Sequence, residues 1–131
     1  MTIGRLQAGV AEVDITPAPG VALADEVQSR VAEAVRTPLR AQALALANGE
    51  RTLSVVTLDL YGLAPAAMDR LLQAVEARSG LPPEAVLVLA SHTRGAPCTT
   101  PVVGQPGVDE DYTTRVIAAA AEAVAGALAV L

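Results

Sequence analysis

The stretch TLSVVTLDLYGLAPAAMDRLLQAVEARSGLPPEAVLVLAS, residues 52–91, decides the fold. Its first nine residues, 52–60, are rich in β-branched and apolar types and predict a strand. Pro65 then stands where a first helical turn tolerates proline, and Gly80 stands where a helix ends. The continuous apolar run at 85–91 is typical of a strand covered on both faces. Strand, helix and strand form a right-handed crossover unit, so the two strands should be parallel.

The residues before this unit predict three further elements. A strand at 7–15 stops at the turn residues TPAPG, and a second strand at 39–47 is joined by Asn48-Gly49 to the strand at 52–60 as an antiparallel hairpin. Between them, residues 21–36 carry apolar side chains at every fourth position, which predicts a helix. These side chains are Leu23, Val27, Val31 and Val35.

The residues after the unit predict a long loop and a last helix. The loop from His92 to about Asp109 is rich in glycine and proline, and loops of this length are often functional. The acidic cluster at 109–111 suits a helix start. The apolar run 116–131 is shorter than the roughly 20 residues that span a bilayer, and it contains Glu122. Such a helix should leave apolar surface exposed, so we expect a homo-oligomer unless further chain covers it.

Composition limits the class of protein. The 131 residues suit one domain, 1–131, and the element order predicts a single α/β domain in which helices pack on a mixed β-sheet. A net charge of −5 and only two aromatic residues argue against a nucleic-acid partner. One cysteine excludes an internal disulfide, and the first residues lack the apolar core of a signal peptide, so the expected location is the cytoplasm.

The parallel strands should deliver Asp59 and His92 to the same edge of the sheet. His92 is the only histidine of the chain and Cys98 is its only cysteine. Open α/β sheets bind ligands at the carboxyl ends of their strands, so a site is expected there. Each residue also has a structural alternative: His92 can be a histidine tied to backbone groups at a strand end, and Asp59 and Asp14 can be turn or capping residues.

Four segments carry a resemblance to a known family. AGVAEVDITPAPG, TPLRAQALAL, SVVTLDLYGL and GLPPEAVLVLASHT occur in the order and spacing of the amino-terminal domain of the neutral/alkaline non-lysosomal ceramidases and their bacterial relatives. The chain resembles a short bacterial relative or a truncated form. The resemblance implies a zinc-dependent amidohydrolase that cleaves N-acylsphingosine to a fatty acid and sphingosine.

The resemblance also implies roles for residues of the loop. In the family the segment reads His-Thr-His-Ser-Gly-Pro and its first histidine is a zinc ligand, a role that carries over to His92. The second histidine is Arg94 in this chain, and a permanently charged guanidinium can bind only an anion or a carbonyl oxygen. Residues 16–36 also depart from the glycine-rich loop of the family.

The zinc site that the resemblance implies is incomplete in this chain. The family's remaining ligands, a histidine, a glutamate and a tyrosine, and its serine nucleophile lie beyond residue 131. A catalytic zinc takes about three protein ligands, so His92 with Asp59 or Asp14 needs a further donor from another subunit or from Cys98. Cys98 itself is either a nucleophile, whose thiolate Arg94 would favour, or a small apolar filler.

Two functions therefore stay open. The first is a hydrolase-related domain of the ceramidase type that acts on a small-molecule amide. The second is a non-catalytic module of the same fold that binds a small amide or anion, or serves assembly, as a homo-oligomer.

Overall fold

The computed structural model describes residues 4–25, 27–105 and 107–131 and contains one mixed sheet with two helices packed on it. The strands lie in sequence order across the sheet. The elements are β1 (Gln7–Asp14), β2 (Arg40–Ala47), β3 (Thr52–Leu58), α1 (Pro65–Ser79), β4 (Val86–Ala90) and α2 (Glu110–Leu128), with a 3₁₀ turn at Pro83–Ala85. The predicted α/β architecture is confirmed.

The predicted hairpin and crossover unit are both present. β2 pairs antiparallel with β1 and with β3, and β3 pairs parallel with β4. Between β2 and β3, Asn48 Oδ1 accepts the backbone N–H groups of Glu50 and Arg51, and Gly49 takes a left-handed φ of 88°. This turn fixes the register between β2 and β3, and the pleat of each strand sends alternate side chains to opposite faces.

The helix-covered face of the sheet forms the core. Its strand residues are mostly small, and Gly9 shows why, because a Cβ there would lie 2.1 Å from the backbone oxygen of Ala127. Helix α2 therefore sits close to the sheet, over alanine, glycine and valine. Its buried residues include Val116, Ala120 and Val124. A chain without phenylalanine or tryptophan fills its core by this close approach of backbones.

Two expectations about exposed apolar surface are wrong. Helix α2 buries its apolar residues against the sheet and α1 instead of leaving them exposed. The strand at 85–91 is covered on one face only: Leu87 and Leu89 are 56% and 45% exposed. Apolar side chains are therefore left uncovered on the sheet and not on α2.

The predicted helix at 21–36 is also wrong: its described residues contain no helix, and Glu26 lies outside them. Residues 20–25 and 27–32, here called the 20–32 loop, fold back through an antiparallel bridge between Ala22 and Val31. Asp25 stabilises the turn, since its carboxylate accepts the Val27 N–H and pairs with Arg30. Apolar spacing alone did not make a helix, because no surface is available to bury three of the four apolar side chains.

The predicted loop after β4 is irregular over its described residues, among which Pro106 is not included. Helix α2 begins after Asp109, whose Oδ1 accepts the backbone N–H of Tyr112, as the acidic cluster predicts. The Tyr112 hydroxyl donates to the backbone oxygen of Ile15. No helix among the described residues is long and apolar enough to cross a bilayer.

Candidate functional site

The carboxyl ends of β3 and β4 meet at one edge of the sheet. Leu58 pairs with Ala90 at the end of the parallel ladder, and the Ser91 N–H donates to the Leu58 oxygen at 3.0 Å. Asp59 and His92 therefore leave neighbouring strands at the same edge, as the crossover topology predicts. This edge is where open α/β sheets place ligands.

His92 has an unusual backbone and a fixed ring. Its φ is 63°, and among the described residues it is the only non-glycine residue with a positive φ. Such a conformation is costly for most residues and is often found at functional sites. The ring lies against Tyr61, with centroids 4.2 Å apart.

The tautomer of His92 follows from one hydrogen bond. Nδ1 lies 2.9 Å from the backbone oxygen of Tyr61. A carbonyl oxygen only accepts, so Nδ1 carries the proton and, in the neutral ring, Nε2 carries the lone pair. Metal-ligating histidines are commonly oriented by such a bond from the other ring nitrogen to a backbone carbonyl. His92 is exposed, so its Nε2 can be offered to a metal or a ligand.

Asp14 ends β1 and Asp59 directly follows β3, and Arg40 begins β2 between them. Asp59 Oδ2 accepts the Arg40 N–H at 2.9 Å, and the Asp59 N–H donates to the Arg40 oxygen. Asp14 Oδ1 accepts the Thr16 N–H at 2.7 Å, and these contacts with Thr16 lower the pKa of the Asp14 carboxyl. Both carboxylates accept backbone hydrogen bonds at strand ends, which was the alternative to a ligand role.

Cys98 is buried, with 3% of its surface exposed. Burial raises the pKa of its thiol, and the nearby Asp109 raises it further. A raised pKa disfavours the thiolate that the nucleophile alternative requires. The structure favours the thiol as a small apolar filler.

A cleft lies beside the His92 loop. It has a volume of about 850 Å³, and Thr93 and Gly95 form part of its wall. The opposite wall comes from residues that the sequence placed on a helix, including Arg30, Val31 and Arg36. The turn-forming residues Asp25 and Ser29 were the signal that this segment could fold back.

Several contacts hold the two walls of the cleft together. The Ala24 N–H donates to the Ala96 oxygen at 2.8 Å, and Leu23 bridges to Pro97. Arg30 uses its Nε to pair with Asp25 at 2.6 Å and its Nη2 to donate to the backbone oxygen of Arg94 at 3.3 Å. The 20–32 loop thus positions the loop that carries His92 and Arg94.

A complete metal site is not formed by the described residues. They contain no group of three or more histidine, cysteine, aspartate or glutamate side chains that could hold a metal ion. The described residues by themselves therefore do not fit a catalytic zinc, which takes about three protein ligands.

The chain is similar in fold to solved ceramidases. It superposes on a neutral ceramidase from Pseudomonas aeruginosa with a TM-score of 0.73 and 19% sequence identity, over 98% of this chain and 22% of that one. A second structure, a ceramidase complexed with C2, gives a TM-score of 0.71 and 18% identity with the same coverage. No protein-family model matches the sequence, and no curated protein matches it.

These comparisons show the fold. The predicted resemblance to a ceramidase domain is confirmed at that level, and the chain spans about a fifth of the length of the ceramidases that it matches.

Proposed function

We propose that this chain serves as the ligand-binding domain of a ceramidase-type amidohydrolase and contributes one zinc donor, Nε2 of His92. The remaining donors come from protein outside these 131 residues. The observation that carries the proposal is the hydrogen bond from His92 Nδ1 to Tyr61, which leaves Nε2 as the donor at the ligand-binding edge of the sheet.

Zinc, when bound in an amidohydrolase, activates a water molecule and polarises the amide carbonyl. No catalytic step is assigned to this chain, because a single histidine does not make a catalytic zinc site. This chain by itself holds the His92 ring in place and forms the cleft, and the 20–32 loop contributes part of the wall of the cleft. A small N-acyl amide is the class of ligand that the resemblance supports for the cleft.

A cobalt titration followed by NMR tests the donor assignment. Paramagnetic Co²⁺ should broaden the signals of His92 and its neighbours, and it should bind weakly, because one imidazole provides one bond. His92→Ala should abolish this broadening, since the variant lacks the donor. Asp14→Asn is the matched control, because Asp14 lies at the end of another strand, where its carboxylate accepts the Thr16 N–H. Co²⁺ should broaden the NMR signals of this variant as it does those of the parent chain.

The same preparation is assayed for zinc content and amide hydrolysis. We expect no stoichiometric zinc and no hydrolysis from the chain alone. Stoichiometric zinc retained in the His92→Ala chain would show that the assignment of His92 is wrong.

A second function is favoured by Arg94 and by the arginines of the cleft. Arg30 and Arg36 line the cleft, Arg30 being ion-paired with Asp25, and Arg94 stands where the resemblance implies a histidine. A non-catalytic module would use these cations to bind an anion such as a short fatty acid. Carboxylate binding in the cleft that is unchanged in His92→Ala but lost in Arg36→Gln would favour this function over the first.

A further inference from the structure

The face of the sheet opposite the helices is open and apolar. We call it the open face, and it is formed by the strand residues that alternate with those of the core. Its aliphatic members are Val10, Leu44, Leu46, Leu53, Val55, Leu87 and Leu89. Four of them expose a large part of their surface: Val10 is 70% exposed, Leu87 56%, Leu89 45% and Leu53 44%. In the described part of the chain, both helices lie on the other side.

One aliphatic row crosses all four strands of the open face. Val10 pairs with Leu44, Leu44 with Val55, and Val55 with Leu87 in the strand registers. The row runs from one edge strand to the other without a polar interruption. A second row, formed by Leu46 and Leu53, lies beside it. Contiguous apolar patches of this kind mark interaction surfaces in soluble proteins.

Part of the polar border of the open face is compensated within the face, while Asp14, the next residue of β1 on that face, stays charged. Glu12 forms an ion pair with Arg40, and its other carboxylate oxygen accepts from Gln42 at 3.2 Å. These groups lie at the end of the face near Asp14, while the apolar rows lie toward the other end. No uncompensated charge on Glu12 or Arg40 therefore opposes the approach of another apolar surface, and no cationic patch among these residues attracts a nucleic acid or an anionic membrane.

We propose that the open face is the contact surface of a two-fold dimer in which the sheets of two copies stack face to face. The contact is an isologous one, because a row of aliphatic side chains across a sheet is complementary to the same row on a second copy. Stacked sheets pack about 10 Å apart at roughly −30°, with interdigitating side chains, and the even spacing of this row suits that arrangement.

The size of the open face agrees with a dimer of moderate affinity. Four strands at about 4.8 Å and roughly seven residues at about 3.3 Å give a face of approximately 19 by 23 Å. Such a face buries on the order of 1,000 Å² in total, near the lower limit for specific interfaces. We therefore expect a dissociation constant in approximately the micromolar range, so that monomer and dimer are both observable.

Sedimentation velocity across concentrations from roughly 1 µM to 1 mM tests the proposal. The parent chain should change from monomer to dimer within this range. Val10→Lys and Leu87→Lys place a charge at either end of the aliphatic row, on edge strands that tolerate lysine, and each should weaken the dimer at least about tenfold. Val103→Lys is the matched control, because Val103 is 96% exposed and lies in the loop before α2; its dimer should be unchanged.

A measurement on the unchanged chain covers the case in which a lysine variant fails to fold. The methyl NMR signals of Val10, Leu87 and Leu89 should shift on concentration, and those of Val103 should not. A chain that stays monomeric at every concentration overturns the proposal, as does a dimer whose contacts map to the helices or to the cleft. His92→Ala should leave the dimer intact, so failure of the zinc assignment and failure of the dimer are distinguished.

Discussion

Residues 21–36 and residues 65–79 both have an apolar spacing typical of a helix, and their structures differ. Both place large aliphatic side chains three or four residues apart, yet 65–79 form α1 and 21–36 form the 20–32 loop and an irregular tail. In α1, Leu71 and Val75 are fully buried. In the other segment Val27 is 75% exposed and Val35 53% exposed. A segment with helical apolar spacing forms a helix where a neighbouring surface covers its apolar face.

The ends of the two segments also differ. Pro65 begins α1, and Gly80 ends it with a left-handed φ of 75° while its N–H donates to the Glu76 oxygen. Residues 21–36 have instead a competing turn, in which the Asp25 carboxylate accepts the Val27 N–H at 2.9 Å. An aspartate inside a helical pattern offers the backbone this alternative, and the contacts with Ala96 and Pro97 then select it.

The largest expected effect comes from the same truncation in the two segments. Val75→Ala removes two methyl groups from a fully buried site and should lower the free energy of unfolding by about 2–3 kcal/mol. Val35→Ala should change it by less than about 0.5 kcal/mol, because the side chain is half exposed. Chemical denaturation of both variants measures the difference. Equal losses would mean that residues 21–36 bury their apolar face after all.

A smaller effect is expected from the two left-handed glycines of these segments. Gly80→Ala should lower the free energy of unfolding by about 1–2 kcal/mol, since alanine is strained at this φ. A Cβ there would meet no other atom, so no clash adds to the strain. Gly20→Ala, at a φ of 91°, should leave the denaturation midpoint nearly unchanged and loosen only the 20–32 loop. Amide hydrogen exchange distinguishes local from global loss. A large drop in the midpoint for Gly20→Ala would show that the loop unfolds together with the core.

The smallest effect is a pH dependence confined to the 20–32 loop. The hydrogen bond from Val27 and the charge of Arg30 hold the pKa of Asp25 below its usual range, despite its burial. A depressed folded pKa means that the contribution to stability is complete above the ordinary value of about 4 and is lost as the pH falls through the folded value. Amide NMR signals of the loop should therefore move toward unfolded positions in acid, before those of α1.

Asp25→Asn is the control for this prediction. The variant cannot titrate at this position and lacks the ion pair, so its loop signals should be perturbed already at neutral pH and should show no transition at position 25. An acid transition of the same size in the variant would assign the effect to another carboxyl group.

The sequence predicted the site only in part. It predicted that Asp59 and His92 lie at one edge of the sheet, because parallel strands joined by a crossover end on the same side. It missed Arg30 and Arg36 as wall residues of the cleft, because the segment that carries them was predicted to be a helix. It left open whether Cys98 is a nucleophile or an apolar filler, since desolvation of the thiol depends on burial, which spacing does not reveal.

The sequence by itself determined the four strands, the two helices that follow β3, the hairpin at Asn48-Gly49 and the parallel crossover of residues 52–91. These features follow from local rules: side-chain alternation, turn residues and the positions of proline and glycine. Only the tertiary structure decided which apolar surface stays uncovered, what residues 21–36 become, and which nitrogen of His92 is offered to a ligand. Each of these depends on contacts between residues far apart in the chain, such as Ala24 with Ala96 and His92 with Tyr61, which no local pattern encodes.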